Sequence, residues 1–188
     1  MPKKAPVPCT KEEMDSLIAA ALDDDYTYML FKLARKTGRR LGEYYDAQVK
    51  DFDPKKMILL TKVLKRRQKV YKEAILDEEL TYLIQRHIAR CKLKLEDYLF
   101  RKQTEDKSIS RRQIQNRVSL YAKKAGINHP VSFHNFRHYF VTELFKKGWT
   151  YDKIAKLTGH TSVSTLAVYD HTVASDIALD ARGAIKDL

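Results

Sequence analysis

Cysteine, glycine, tryptophan and long apolar runs are all scarce in this chain. It has two cysteines, one tryptophan and six glycines in 188 residues. Cys9 and Cys91 are too few for a disulfide framework, and neither has the local spacing of a metal-binding motif, so we predict inert thiols in a reducing compartment. No run of about 18 apolar residues occurs, which excludes a membrane-spanning helix of ordinary length.

The first nine residues also lack the apolar core of a signal peptide. They begin with a basic stretch and contain three prolines. Proline has no backbone N–H and a fixed φ, so such a segment favours extended structure over a helix or strand. We therefore predict that residues 1–9 form an arm or a linker end.

Acidic residues are too few to balance the basic ones. Lysine and arginine number 36 against 24 aspartates and glutamates, which gives a formal net charge of +12. This excess predicts a polyanionic partner, with nucleic acid first and an anionic membrane second, while a merely soluble basic surface remains the alternative. The length and the hydrophobic share of 44% indicate one folded domain with a real core.

Helical periodicity dominates the patterning. Thr10 and Glu13 form a capping box that opens the first predicted helix. The remaining predicted helices cover 25–36, a segment from 41 to 51, and 77–95, 110–126, 134–147, 150–157, 162–168 and 174–185. Strands are expected at 57–60 and 70–75, with a basic hairpin tip at 62–69, and 96–107 is expected to be a loop. The predicted fold class is therefore mainly α with one small β-hairpin or sheet and no internal domain boundary.

Cleavage of a DNA phosphodiester without a metal requires three chemical functions. A nucleophile must attack phosphorus, cations must neutralise the non-bridging oxygens, and an acid must protonate the departing sugar oxygen. Arginine suits the second task because its planar fork donates two parallel hydrogen bonds. His134 and Arg137 are one helical turn apart, and His160 and Tyr169 follow them. Each of these residues alone is more typical of a surface or packing position.

Their joint order resembles the second conserved block of the tyrosine recombinase (phage integrase) family. That block reads approximately His-x-Leu-Arg-His, then Leu-Gly-His, then Tyr-x-His. This chain reads His134-Asn-Phe-Arg-His, then Thr158-Gly-His, then Tyr169-Asp-His. It departs from the family at Phe136 and Thr158, where leucine is usual.

The first family block is matched upstream. Thr37-Gly-Arg-Arg-Leu-Gly-Glu resembles the family's Thr-Gly-x-Arg-x-x-Glu, which assigns the first catalytic arginine to Arg40 and the supporting acid to Glu43. The alternative for this segment is a solvated basic turn. Lys62 resembles the family's lysine on a β-hairpin, although the glycine that usually accompanies it is missing, and Lys65 is the next candidate.

The resemblance implies a role for each of these residues. Tyr169 attacks phosphorus and forms a 3′-phosphotyrosyl link, which conserves the bond energy for rejoining without ATP. Arg40 and Arg137 clamp the scissile phosphate. Lys62 protonates the 5′-oxygen, and His134 assists proton transfer at the attacking oxygen.

His160 is expected to hydrogen-bond a non-bridging oxygen of the same phosphate. Other basic residues are expected to contact DNA: Arg39, Lys65, Arg66, Arg67, Lys69, Arg111 and Arg112. Neither a metal nor a cofactor is expected, because the arginines supply the positive charge and no Asp, Glu, His or Cys cluster has ligand spacing.

The implied function is that of a site-specific DNA recombinase or integrase acting on double-stranded DNA in the cytoplasm. The resemblance also implies a homo-oligomer, tetrameric on DNA, and no membrane association. Residues 10–188 are expected to form the catalytic domain, with the N-terminal core-binding domain that family members usually carry absent from this chain. The alternatives are a type IB topoisomerase-like enzyme, which does not require paired sites, and a basic DNA-binding module that has lost catalysis.

Overall fold

A computed structural model of the chain describes residues 7–65, 68–104 and 107–159. They belong to two compact units, the first ending at Tyr139 and the second beginning at Phe140. The sequence pattern gives no sign of this division, since it falls within one helix. Within the described ranges, no helix is both long and apolar enough to cross a membrane.

Helices make up most of the described structure. They are α1 Lys11–Ala19, α2 Asp25–Thr37, α3 Leu41–Tyr45, α4 Glu78–Arg90, α5 Arg111–Lys124, α6 Phe133–Lys146 and α7 Tyr151–Thr158, with a short 3-10 helix at Val49–Asp51. The strands are β1 Phe52–Asp53, β2 Ile58–Lys65, β3 Gln68–Ile75, β4 Lys102–Thr104 and β5 Lys107–Ser108. β1, β2 and β3 form an antiparallel sheet in that order, and β4 pairs with β5. The prediction of a mainly helical domain with a small sheet is confirmed.

Local sequence signals set several helix ends as predicted. The backbone N–H of Thr10 donates to Glu13 Oε2 at 2.9 Å, and Glu13 N–H donates to Thr10 Oγ1 at 3.2 Å, which completes the capping box of α1. α2 ends at Gly38, whose φ of 60° is in the left-handed region that glycine adopts without a Cβ clash. The turn that follows Gly38 carries the first of the predicted catalytic arginines.

Aromatic packing fixes the start of α6 in the first unit. The rings of Phe31 in α2 and Phe136 in α6 have centroids 5.0 Å apart, and Phe136 also lies 5.5 Å from Phe133. Tyr44 of α3 packs edge-on against Phe133 at 6.0 Å. Such pairs contribute about 0.5–1.5 kcal/mol each beyond area burial. The contacts hold α2, α3 and the first turns of α6 together, which are the elements that carry the predicted arginines and histidine.

The second unit has its own small apolar cluster. Val141 and Ile154 are fully buried, and the ring of Phe145 lies 4.8 Å from that of Tyr151. Gly148, at φ 75°, turns the chain between α6 and α7. The cluster therefore brings the end of α6 and the start of α7 together.

The predicted hairpin tip at 62–69 is wrong, because most of it is paired strand. Lys62 lies opposite Tyr71 and Lys65 opposite Gln68. In the antiparallel ladder alternate facing residues exchange both backbone hydrogen bonds, so the pairing continues through this charged segment despite its lysines. Residues 66–67 lie outside the described residues.

Other predicted boundaries also differ from the structure. α4 ends at Arg90 instead of 95, because Lys92 has a φ of 50° and the backbone N–H of Leu93 donates to Ile88 O. The helix predicted over 41–51 is interrupted after Tyr45 and continues only as the short 3-10 turn. The predicted loop 96–107 contains β4 and the start of β5, strands too short to show an alternating pattern. The helices predicted at 162–168 and 174–185 lie outside the described residues.

Candidate functional site

Arg40, His134 and Arg137 lie on the wall of one cavity of about 320 Å³ in the first unit. Arg40 immediately precedes α3, whereas His134 and Arg137 occupy the first turns of α6. Segments almost a hundred positions apart in sequence are thus joined at one concave, basic surface. The remaining wall residues are Arg39, Leu41, Gly42, Gln115, Ser132 and Phe133.

Arg137 is held inside the protein. Its side chain is 1% exposed, and Nη1 donates a 2.9 Å hydrogen bond to the carbonyl of Gly38. That carbonyl belongs to the turn that ends α2 and leads directly to Arg40. The hydrogen bond therefore ties the position of one arginine to the backbone beside the other.

Arg40, in contrast to Arg137, is exposed to solvent. Its side chain is 45% exposed, and Nη1 lies 3.2 Å from Oε1 of Glu43, which is itself 6% exposed. A pair with one exposed partner contributes little to stability, so its main effect is to orient the guanidinium. The carboxylate leaves most of the Arg40 fork open to an incoming anion.

Arg39, unlike Arg40, is buried. It was predicted to contact DNA, but its side chain is 2% exposed, Nη2 donates to the carbonyl of Glu73, and Nη1 lies 3.9 Å from Glu43 Oε2. Burial lowers the pKa of Arg39, and the charge of Glu43 opposes this change. The Arg39 guanidinium is thus directed at β3 and Glu43, and its contact with DNA stays a prediction.

His134 has the electrostatics of a proton acceptor. Its side chain reaches solvent, but partial burial of the ring lowers the pKa of His134, and the charges of Arg137 and Arg40 lower it further. Its ring is 4.9 Å from that of His138, whose pKa burial lowers to about 4. Both imidazoles are therefore neutral near pH 7, and a neutral imidazole accepts a proton from an attacking hydroxyl.

Lys62 lies in β2, and its side chain is half-buried. The preceding residue, Thr61, is fully buried and donates to Lys72 O at 3.0 Å, so alternation along the strand directs Lys62 to the opposite face. β2 packs against α3, which follows Arg40 directly. Within the β2–β3 ladder, Lys65 lies opposite Gln68 and Lys69 lies opposite Leu64. Arg66 and Arg67 lie outside the described residues.

Arg111 and Arg112 are exposed at the start of α5. Arg111 Nη2 lies 3.3 Å from Asp46 Oδ2, and its guanidinium stacks on Tyr45 at 4.9 Å. The same guanidinium also lies against Gly42. A Cβ added to Gly42 would be 3.5 Å from Arg111 Cζ, an ordinary van der Waals contact. Arg111 therefore lies beside the cavity wall without lining it.

The remaining predicted residues, His160 and Tyr169, lie outside the described residues. The residue before His160 is described: Gly159 ends α7 at φ 74°, with its N–H bonded to Ala155 O at 2.8 Å. Thr158, where the family pattern has leucine, is fully buried and donates to Ile154 O at 2.6 Å. The side-chain hydroxyl is thus satisfied within α7, which explains how a polar residue fits this buried position.

Sequence reasoning missed two polar residues on the cavity wall. Gln115 of α5 accepts a hydrogen bond from the backbone N–H of Phe133 at 3.0 Å. Ser132 precedes α6, and its N–H donates to Asn135 Oδ1 at 2.9 Å. Both act at the start of α6, where unpaired N–H groups need acceptors. A serine before a helical pattern signals such a cap, but no local pattern points to Gln115.

The fold is similar to those of solved recombinases. A crystal structure of XerA recombinase has a TM-score of 0.81 to this chain at 26% identity, covering 97% of this chain and 66% of that one. A XerH site-specific recombinase bound to its palindromic difH substrate has a TM-score of 0.79 at 20% identity, covering 95% of this chain and 53% of that one.

The sequence matches the phage integrase family over residues 9–175, and the chain belongs to that family. A tyrosine recombinase of Pseudothermotoga lettingae is 28% identical over 163 residues, covering 86% of this chain and 54% of that protein. Tyrosine recombinase XerC of Thermodesulfovibrio yellowstonii is 29% identical over 175 residues, covering 86% of this chain and 56% of that protein. The chain thus spans about half the length of the curated relatives it matches.

Proposed function

We propose that this chain is the catalytic domain of a site-specific DNA recombinase that cleaves and rejoins strands through a 3′-phosphotyrosine. The observation that carries the proposal is the cavity in which Arg40, His134 and Arg137 converge. The three side chains match, position by position, the motifs of the family to which the chain belongs. In this proposal residues 10–188 are the catalytic domain and residues 1–9 an arm or linker.

The chemistry begins with the phosphate. Arg137 and Arg40 approach from two directions and neutralise the charge that grows on the non-bridging oxygens as phosphorus becomes five-coordinate. Because Arg137 is fixed by the Gly38 carbonyl, one half of this clamp is in place before substrate arrives. His160 donates a further hydrogen bond to the same oxygens.

Proton transfer completes the step. The Tyr169 oxygen attacks phosphorus and its proton passes to the neutral imidazole of His134. The P–O5′ bond breaks and the departing oxygen takes a proton from Lys62. The products are a 3′-phosphotyrosyl ester and a free 5′-hydroxyl. The reverse reaction, with a 5′-hydroxyl as the nucleophile, rejoins a strand without an external energy source.

Double-stranded DNA is the proposed partner. The net charge of +12 supports it, and the structures of related recombinases include DNA complexes. Phosphate neutralisation makes such binding fall steeply with salt. We also propose a cytoplasmic protein that is active as a homo-oligomer, tetrameric on paired sites. If light scattering gives the DNA complex a mass of one chain per duplex, the proposed homo-oligomer is contradicted.

A suicide substrate tests the proposed function directly. On a nicked duplex that carries the recombination site, the chain is expected to accumulate a covalent protein–DNA adduct in the presence of EDTA. The nick releases a short fragment, so religation cannot reverse the step. An adduct that forms only with added divalent metal contradicts the mechanism. Relaxation of plasmids that lack the site would instead favour a topoisomerase.

The identity of the general acid is tested by replacing each candidate lysine. Lys62→Ala is expected to slow cleavage by about 100-fold or more, the usual contribution of a positioned acid. Lys65→Ala, the variant at the other candidate, is expected to stay within a few-fold of wild type when the DNA is saturating. A substrate with sulfur in place of the bridging 5′-oxygen should restore the Lys62→Ala rate, because a thiolate departs without a proton. The opposite ranking of the two variants would assign the acid to Lys65.

A further inference from the structure

Cys9, Glu13 and His129 form a cluster in the first unit, apart from the cavity wall. The Cys9 thiol, a Glu13 carboxylate oxygen and a His129 ring nitrogen all lie within 4.8 Å of one another. Cys9 is 7% exposed, whereas the Glu13 and His129 side chains are 29% and 19% exposed. No local sequence motif connects these three residues, and the cluster plays no part in the proposed cleavage reaction.

We propose that Cys9, Glu13 and His129 bind one Zn²⁺ ion and that water completes the coordination. Sulfur and imidazole donors disfavour Mg²⁺ and Ca²⁺, which prefer oxygen ligands, and favour zinc among the abundant cellular cations. A thiolate and a carboxylate also balance the two charges of the ion. Binding transfers the thiol proton of Cys9 to solvent as the sulfur–zinc bond forms.

The separation of two donor atoms already suits a zinc site. His129 Nε2 lies 3.1 Å from Glu13 Oε1. Two ligands at 2.0–2.1 Å from zinc in a tetrahedral arrangement lie about 3.3 Å apart. The ion would take the place of the present hydrogen bond with little movement of either side chain, and only the Cys9 sulfur needs to approach.

The outer contacts of the three side chains match those of metal ligands. Glu13 Oε2 accepts from Thr10 N–H at 2.9 Å, which leaves Oε1 for the ion. His129 Nδ1 lies 3.5 Å from the carbonyl of Pro130, a contact that directs Nε2 toward the cluster. Asn135 holds the backbone just before Cys9, because its Nδ2 donates to the carbonyl of Val7 at 2.9 Å. Metal-binding side chains are typically oriented by second contacts of these kinds.

The ion would join two parts of the chain that are distant in sequence. Cys9 precedes α1, Glu13 is in its first turn, and His129 lies in the connection between α5 and α6. That connection leads within a few residues to His134. Zinc would therefore fasten the N-terminal segment to the base of the helix that carries His134 and Arg137.

Metal titration of the chain tests this site without any measurement of DNA cleavage. After removal of metals, the protein is expected to bind one equivalent of Zn²⁺ against a competing chelator, and Co²⁺ should give a thiolate-to-cobalt charge-transfer band. Cys9→Ser should abolish that band and weaken Zn²⁺ binding by at least about 10-fold. The matched control Cys91→Ser, at the other cysteine, should change neither.

Two further variants separate ligation from folding. Glu13→Gln keeps the capping box, because glutamine serves at that position as well as glutamate, yet removes an anionic ligand. His129→Gln removes the nitrogen donor. Each is expected to lower Zn²⁺ affinity by about 10-fold or more, while the metal-free proteins keep the wild-type circular dichroism spectrum. Failure of the wild-type chain to bind Zn²⁺, or unchanged binding by Cys9→Ser, would overturn the proposal.

Discussion

Tyr169→Phe is expected to abolish the covalent adduct while leaving DNA affinity within a few-fold of wild type. The substitution removes a single oxygen, the proposed nucleophile, and keeps the ring. Binding depends mainly on phosphate contacts by the many basic side chains, none of which is changed. Adduct formation on the nicked substrate and the Kd of the same duplex, measured in one buffer, separate the two effects.

Tyr151→Phe provides the matched control for this variant. Tyr151 opens α7 and packs on Phe145, so loss of its hydroxyl leaves the apolar contact in place. This variant is expected to form the adduct at the wild-type rate. If the Tyr169→Phe protein still forms an adduct, another side chain is the nucleophile and the assignment of Tyr169 fails.

Arg137→Lys is expected to lower the cleavage rate by about 100- to 1,000-fold, the usual cost of removing one preorganised donor to a developing oxyanion. Lysine keeps the charge but loses the planar fork, and it cannot bond the Gly38 carbonyl and the phosphate with fixed geometry. Because the side chain is buried, part of any loss could come from unfolding. Single-turnover rates should therefore be measured beside thermal unfolding of the same protein.

Arg40→Lys separates catalysis from stability. Its side chain is 45% exposed, so the substitution is expected to leave the melting temperature unchanged and still lower the cleavage rate by about 100-fold or more. Arg90→Lys, at an arginine of α4 that is 66% exposed and pairs with Asp25, is the control and should remain within a few-fold of wild type. Equal rates for Arg40→Lys and wild type would remove Arg40 from the clamp.

The sequence predicted those parts of the molecule that are encoded locally. Each capping box, left-handed glycine and helical repeat is formed by residues only a few positions apart. The sequence could therefore place α1, α2 and α5 to within a few positions. The motifs around Arg40 and Arg137 could also be recognised from the sequence. The residues of each motif are only a few positions apart, and their side chains have specific chemistry.

Features that depend on tertiary contacts were not predictable in the same way. Arg39 and Arg40 are adjacent and chemically identical, and only the packing of β3 decides that one is buried and the other exposed. Cys9 and His129 lie at opposite ends of the first unit in sequence, so no local motif connects them. The short strands β4 and β5 likewise depend on each other for their hydrogen bonds.

The hydrogen bond between Arg137 and the Gly38 carbonyl has a consequence for the order in which the two arginines of the proposed site become fixed. Ordering an arginine side chain costs about 2 kcal/mol of rotamer entropy. For Arg137 this loss occurs when the chain folds, whereas the exposed Arg40 still retains much of its freedom. We therefore expect Arg137 to be ordered before DNA binds. The Arg40 side chain is expected to become ordered mainly when it contacts the phosphate.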